Sequence, residues 1–381
     1  MSVDILRPHM PVTRECTFFD HAAISPWPQP ATTALQRYAA DRARGGEGSV
    51  DRWGACLAQA RERIAQLIRV PPETITFTRN TSFGLNLVAN GLTWQPGDNV
   101  VVPYTEFVAN VYVWRNLERK GVEVRFVPDR QGRILPEDVA AAMDDRTRLL
   151  AVSFVEFRTG FRNDLAALKE ICHRRRIPIC VDAIQGLGVL SLDATALELD
   201  FVAAGAQKFL LGPMGVGFLY IAPHRLAQLD RVITGWRATL DPDNYFDYNQ
   251  SFREDALRYE EGALPLALIV AWNESLRLLL EAGITAIETQ VQRLTDHLLT
   301  GLHRLGRKVI SPHRSWTERS AIISFRPMTD AGSLVQALAK AGFMVSERGG
   351  AVRVAVHGYN TLDEVDAFLE AVARLDGVPG R

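Results

Sequence analysis

Between residues 75 and 222 short apolar runs alternate with amphipathic segments, and that alternation restricts the fold more than any other feature of the chain. The runs are ITFT at 75, NVVVP at 99, EVRFV at 123, LLAVSFV at 149, IPICVD at 177, FVAAGA at 201 and VGFLYI at 216. Between most of them lie segments of helical period such as FVANVYVWRNLERKG, LPEDVAAAMD and DLAALKEICHRRR. The runs are apolar throughout rather than alternating, as in strands buried on both faces. Strand and helix in turn predict an α/β fold, an open and largely parallel sheet with covering helices. From about residue 263 two long helical patterns follow, and after about 306 shorter strands and helices read as a smaller α+β unit. The expected organisation is an N-terminal segment over 1–25 near the active site, a large domain over 26–262, and linking helices with a small C-terminal domain over 263–381.

Other features exclude function classes. A formal net charge of -1, with both signs spread along the chain, offers no surface for nucleic acid or membrane. The basic cluster HRRR at 173 sits at the end of a helical pattern, where cations suit the helix dipole. Cys16, Cys56, Cys172 and Cys180 form no CxxC pair and no metal-ligand spacing, as expected of reduced thiols in a cytoplasmic protein. The N-terminus lacks the charged and apolar regions of an export signal, and no run approaches a membrane span.

Ligands of open parallel sheets bind beyond the carboxyl ends of the strands, so polar groups there are the candidates. Lys208 lies between the apolar runs at 201 and 216. Such a lysine can simply reach water over an apolar stem, but held between two core strands it loses hydration, its pKa falls, and it suits Schiff-base chemistry. Asp182 directly follows an apolar run and reads either as a helix cap or as a buried acid paired with a cation, with Gln185 in reach of the same ligand. GLGVLS at 186 lacks the third glycine of a dinucleotide fingerprint, which disfavours a nicotinamide-dependent dehydrogenase. Asn80, Thr81 and Ser82 open an amphipathic helix and serve as a cap or as a phosphate cradle. Phe107 could stack on a planar ligand or belong to the core. Arg353, inside VRVAV, either snorkels, pairs with a buried acid, or clamps a substrate carboxylate. A Schiff-base lysine, an acid for a pyridinium, a phosphate cradle, a stacking ring and a carboxylate clamp together are what pyridoxal phosphate requires.

The stretches FFDHAAISPWP at 18, VDAIQGLG at 181, QKFLLGPMGVGFLY at 207 and VRVAVHGYNT at 352 resemble the class V aminotransferase family of fold type I pyridoxal-phosphate enzymes, which includes cysteine desulfurases, selenocysteine lyases and isopenicillin N epimerase-like proteins. The resemblance implies that Lys208 carries the cofactor as an aldimine, Asp182 pairs with the pyridinium nitrogen, Gln185 donates to the ring O3' and Phe107 stacks on the ring. It places Thr81, Ser82 and Gln207 at the phosphate and Arg353 at the substrate α-carboxylate; His21 is a further substrate-binding candidate, and were Arg353 not the clamp, Arg158, Arg162 or His21 would be next in line. A homodimer acting on a small amino acid is implied, with no metal.

Departures from the family pattern accompany the likeness. Gly205 replaces a phosphate-binding serine, Ala263 a threonine given by the partner subunit, and Phe157 an asparagine. No cysteine follows Cys180, whereas persulfide-forming desulfurases carry theirs shortly before the arginine matched by Arg353. A lyase that eliminates from Cβ without a persulfide cysteine is the expected activity. Transamination, epimerisation and a non-catalytic cofactor-binding role are the alternatives.

Overall fold

The computed structural model describes residues 2–377. Short 3-10 turns precede strand β1 (Thr17–Phe18), and two long helices follow, α1 (Gln29–Gly45) and α2 (Glu47–Ile68). Next come β2 (Ile75–Thr78), α3 (Thr81–Gly91), β3 (Asn99–Pro103), α4 (Ala109–Arg115), β4 (Glu123–Val127), α5 (Pro136–Ala142), β5 (Thr147–Ser153), α6 (Leu165–Arg175), β6 (Ile179–Asp182), β7 (Phe201–Gly205), β8 (Gly217–Ile221) and α7 (Pro223–Leu226). The remainder holds α8 (Leu266–Ala282), α9 (Ile284–Arg304), β9 (Lys308–Val309), β10 (Ile322–Arg326), α10 (Ala331–Lys340), β11 (Phe343–Met344), β12 (Ser346–Glu347), β13 (Val352–Ala355) and α11 (Leu362–Leu375).

Strands β2 to β8 form one sheet in the order β2-β8-β7-β6-β5-β3-β4. Only β8 runs against its neighbours, pairing antiparallel with both β7 and β2. Two reversals cancel, so β2 points the same way as β3, β5, β6 and β7, and the carboxyl ends of all five share one edge. The strands of the sheet interior, β3, β5, β6, β7 and β8, are almost wholly buried, which explains their unbroken apolar runs. EVRFV departs from that expectation: β4 lies at the sheet edge, and of its residues only Val127 is buried.

A four-stranded antiparallel sheet in the order β12-β13-β10-β9 forms the C-terminal unit. The N-terminal segment is woven into it, since β1 pairs in parallel with β11 and Asp20 bridges to Ala355. Helices α1 and α2, packed on α8, have no counterpart among the segments expected from the sequence. The reason for α1 is compositional: its sequence is polar, and it buries only Ala31.

Candidate active site

Lys208 stands in the connection from β7 to β8. Its loop is closed by Leu211 N–H donating to Lys208 O at 2.9 Å and Gly212 N–H donating to Ala206 O at 2.8 Å. Leu211 adopts a left-handed φ of 55°, uncommon for a branched side chain and a mark of local strain. Burial pushes the Lys208 ammonium down to about 8, with Asp182 acting against that shift and Arg353 and Arg348 adding to it. No carboxylate lies within 4.0 Å of its Nζ among the described residues, and the ring centroid of Phe107 is 5.4 Å away.

Asp182 ends β6, the next strand across. It is 2% exposed, and no helix starts behind it; Oδ1 accepts from Ile184 N–H at 3.0 Å in a tight turn. The helix-cap reading therefore does not apply. Burial raises its carboxyl to about 6, against the Ile184 hydrogen bond and the field of Lys208. Gln185 donates from Nε2 to Ala22 O at 3.1 Å, while its buried Oε1 has no partner. GLGVLS at 186 forms turns that lead into no helix, so the dinucleotide fingerprint fails in structure as in sequence.

Two further acids stand beside Asp182 and are not among the residues expected from the sequence. Glu106, following β3, accepts from the backbone N–H of Ser153 and meets its hydroxyl through the other oxygen. Glu156, following β5, accepts from Thr105 Oγ1 and from Asn163 Nδ2, each at 2.9 Å. Burial pushes Glu106 well above the usual carboxylate range, with Glu156 adding to the shift, and pushes Glu156 up to about 7. Both follow apolar strands, the same signal that marks Asp182: Glu156 directly follows the run LLAVSFV, as Asp182 follows its own, and could have been found that way, whereas Tyr104 and Thr105 separate Glu106 from NVVVP.

The first turn of α3 opens on the same edge. Asn80 caps it, its side chain accepting from Phe83 N–H at 2.9 Å, and Ser82 follows Thr81 on the partly open side. Thr81 ties this turn to β7, its Oγ1 accepting from Gly205 N–H at 2.9 Å. Gln207 comes next on the β7 side, its Oε1 buried without a partner. Gly205 makes room for that amide, since a Cβ there would lie 2.4 Å from Gln207 Oε1. The serine expected at this position and the Gln207 side chain compete for one space.

Arg353, on β13, is 1% exposed. Its Nη1 donates to Phe157 O at 2.9 Å, Nε to Ser346 Oγ at 3.3 Å, and Nη2 meets Asp20 Oδ1 at 3.3 Å. Asp20, only partly buried, fills the place of the acid partner that one reading of Arg353 requires, and it is absent from the residues expected from the sequence. Phe157 contributes its carbonyl to Arg353 where a side-chain amide was expected, and its ring stands edge-on to Phe107 at 5.3 Å. Burial lowers the Arg353 guanidinium to about 10, against the field of Asp20.

His21 needs correction as a substrate-binding candidate. It is 0% exposed, with Nδ1 bonded to Ser25 Oγ at 2.7 Å and Nε2 to Tyr359 OH at 2.9 Å. Both ring nitrogens are used inside a cluster with His357 and Phe209, so a substrate cannot reach it. Arg162 is likewise engaged, with Glu288 at 3.0 Å, whereas Arg158 is exposed. Ala263 lies on an exposed stretch just before α8.

The chain matches the family model described as Aminotransferase class-V over residues 17–368. It belongs to that family. This class V enzyme is similar to a probable cysteine desulfurase of Methanothermobacter thermautotrophicus, 28% identical with 99% of each chain covered. It is 31% identical to the isopenicillin N epimerase of Streptomyces clavuligerus, with 85% of each covered. Among solved structures, the apo cysteine desulfurase of Thermococcus onnurineus NA1 superposes with a TM-score of 0.88 at 25% identity, with 97% of each chain covered. The protein is accordingly a pyridoxal-phosphate-dependent enzyme with the fold type I architecture.

The residues at the strand ends fit that cofactor. Lys208 and Asp182 are buried opposite charges that do not touch, leaving Asp182 without a cation in contact. Gln207 has an unpaired amide oxygen beside the first turn of α3, and a half-turn of that amide presents N–H donors to a phosphate. Gln185 keeps a second N–H after serving Ala22.

Proposed function

We propose that this enzyme cleaves the Cβ–S bond of a small sulfur-bearing α-amino acid, with Lys208 holding the cofactor and moving the α-proton. The observation that carries the reading is the pair of buried, non-touching charges Lys208 and Asp182 on adjacent strand ends, with a stacking ring, Phe107, 5.4 Å from the amine. When bound, the cofactor supplies an electron sink for the pair left at Cα. Asp182 would hold the ring nitrogen's proton. Thr81, Ser82, Gln207 and the first turn of α3 would hold the phosphate, and Gln185 would donate to the ring oxygen. Arg353 would take the substrate carboxylate, exchanging the contact with Asp20 for a charge-assisted fork. Lys208 Nζ accepts the α-proton, the Cβ–S electron pair departs on sulfur, and water replaces the amine to leave a 2-oxo acid and ammonium.

The cysteines favour elimination without a thiol relay. Burial raises the pKa of all four thiols, Cys172 to about 12, so none is activated as a thiolate. All four are unpaired, which fits a reducing, cytoplasmic location. Homodimerisation fits the exposed aromatic stretch 236–252, where Phe246 is 91% and Tyr248 92% exposed.

Borohydride reduction of the purified enzyme followed by peptide mapping should place the pyridoxyl group on Lys208; an adduct on another lysine overturns the reading. L-cysteine and cystine should then yield pyruvate with sulfide or persulfide. The similarity to an epimerase supports a second reading, in which the α-position is reprotonated. Solvent deuterium entering at Cα with the sulfur retained and the configuration inverted would establish epimerisation and exclude elimination.

A further inference from the structure

We propose that a cleft between the β4–α5 connection and the C-terminal sheet binds a small anion carrying two or more negative charges. The cleft is about 990 Å³, room for a metabolite-sized molecule rather than a single ion. Arg133, Arg158, Lys308, Arg314 and Arg326 line it, against one carboxylate, Asp129. Arg133 is neutralised by Glu318 at 2.7 and 2.9 Å. The other four cations have no carboxylate within 4.0 Å among the described residues, and Asp129 already accepts from Gly132 N–H at 2.6 Å.

The sheet itself adds the decisive feature. In the β9–β10 pair Lys308 is the direct cross-strand partner of Arg326, and both side chains line the cleft. Like charges directly opposite destabilise a β ladder, so this register carries a standing cost that no acid in contact relieves. The turn at 349–350 adds to the crowding. Gly349 has φ of 60°, a Cβ there would sit 3.0 Å from Arg158 Nε, and Gly350 O accepts from Arg326 Nη1 at 3.2 Å. Arg158 and Arg326 thus flank this turn in the same cleft that Lys308 lines, and the cleft's unmet need is for several acceptor oxygens on one molecule. A phosphate ester or a polycarboxylate supplies them, with planar forks suited to either. The cleft borders the active site through Thr105 and Asp129, which act on Glu156, but none of Thr81, Ser82 and Gln207 lines it, so it is not the cofactor's phosphate site.

The test uses the holoenzyme, in which the cofactor's own phosphate site is filled, and titrates it calorimetrically with inorganic pyrophosphate and with citrate at low ionic strength. At least one probe should bind saturably at one site per chain. The Lys308→Gln/Arg326→Gln double variant should bind at least tenfold more weakly and, without any probe, should melt higher than wild type because the cross-strand repulsion is gone. Pyrophosphate alone binding assigns the site to phosphate esters, citrate alone to polycarboxylates, and both to multivalent anions generally. Absence of saturable binding by either probe overturns the proposal. So does undiminished affinity in the double variant, or an equal response to acetate at matched ionic strength.

Discussion

Replacing Asp182 by Asn should stabilise the cofactor-free protein while disabling the enzyme. Burial raises this carboxyl from 3.8 to about 6. A shift of that size corresponds to about 3 kcal/mol, since each pH unit is worth about 1.4 kcal/mol. The sign follows from proton counting. Below about 4 both states are protonated and the group is neutral. Between about 4 and 6 the folded state holds the proton that the unfolded chain has lost, so stability falls as pH rises, and above 6 the full penalty remains. Asparagine removes the charge and keeps the Oδ1 acceptor for Ile184 N–H, but buries an NH2 group whose lack of a partner costs about 1 to 2 kcal/mol. The net gain is about 1 to 2 kcal/mol at pH 8, shrinking toward zero or below as pH falls to 4. Urea denaturation of cofactor-free wild type and variant at pH 8 and pH 5 measures it. Turnover should fall at least 100-fold in the loaded variant, because a neutral amide no longer holds the ring nitrogen's proton. A variant less stable than wild type at pH 8, or equally shifted at both pH values, refutes an uncompensated buried carboxylate.

Arg353→Leu should lower kcat/KM by roughly 30- to 1,000-fold, the loss of about 2 to 4 kcal/mol from a charge-assisted contact, and should erase the preference for an amino acid over the amine lacking its carboxylate. Replacing all four cysteines by serine or alanine should leave sulfide release within about threefold of wild type once folding is verified; loss of release would reveal a thiol relay. Capture of free cofactor needs the neutral amine of Lys208, which sits near pKa 8. The capture rate should therefore rise about tenfold from pH 7 to 9 and then level off, whereas a flat profile would place the amine in a different environment.

The sheet was legible because its central strands are buried on both faces and are apolar through their middles, with polar residues confined to their ends. IPICVD shows both properties, the buried run and the acid that closes it. EVRFV obeys a different rule, because an edge strand need bury only part of itself. Helix α1 was illegible for a related reason, since a helix that buries one alanine leaves no apolar period to read. At the site, Lys208, Asp182, Gln185 and Gln207 lie close in the chain, and the β6–β7–β8 order brings them together. Asp20 and Arg353 meet across 333 positions through the pairing of the N-terminal segment with the C-terminal unit, a contact that local pattern cannot announce. His21 shows the opposite error: its neighbour Asp20 faces the site, while its own ring turns into the buried cluster with Tyr359.

The acids behind Asp182 sharpen what that residue can do. Three carboxyls at the ends of neighbouring strands cannot all be ionised in a buried space, and the geometry decides which one carries the charge. Burial, with the charge of Glu156, holds Glu106 well above the usual carboxylate range, and as the protonated acid it can donate from one oxygen to Ser153 Oγ while the other accepts Ser153 N–H. Glu156, with Thr105 and Asn163 donating to it, titrates near 7. Asp182 is the most acidic of the three and the one that feels Lys208. Burial therefore favours the neutral acid at Glu106, while the field of Lys208 favours the carboxylate at Asp182, so the negative field directed at a ring between Asp182 and Lys208 comes chiefly from Asp182. Ionising Glu156 adds a second negative charge on the same sheet edge, which strengthens the hold on a ring-nitrogen proton rather than competing for it.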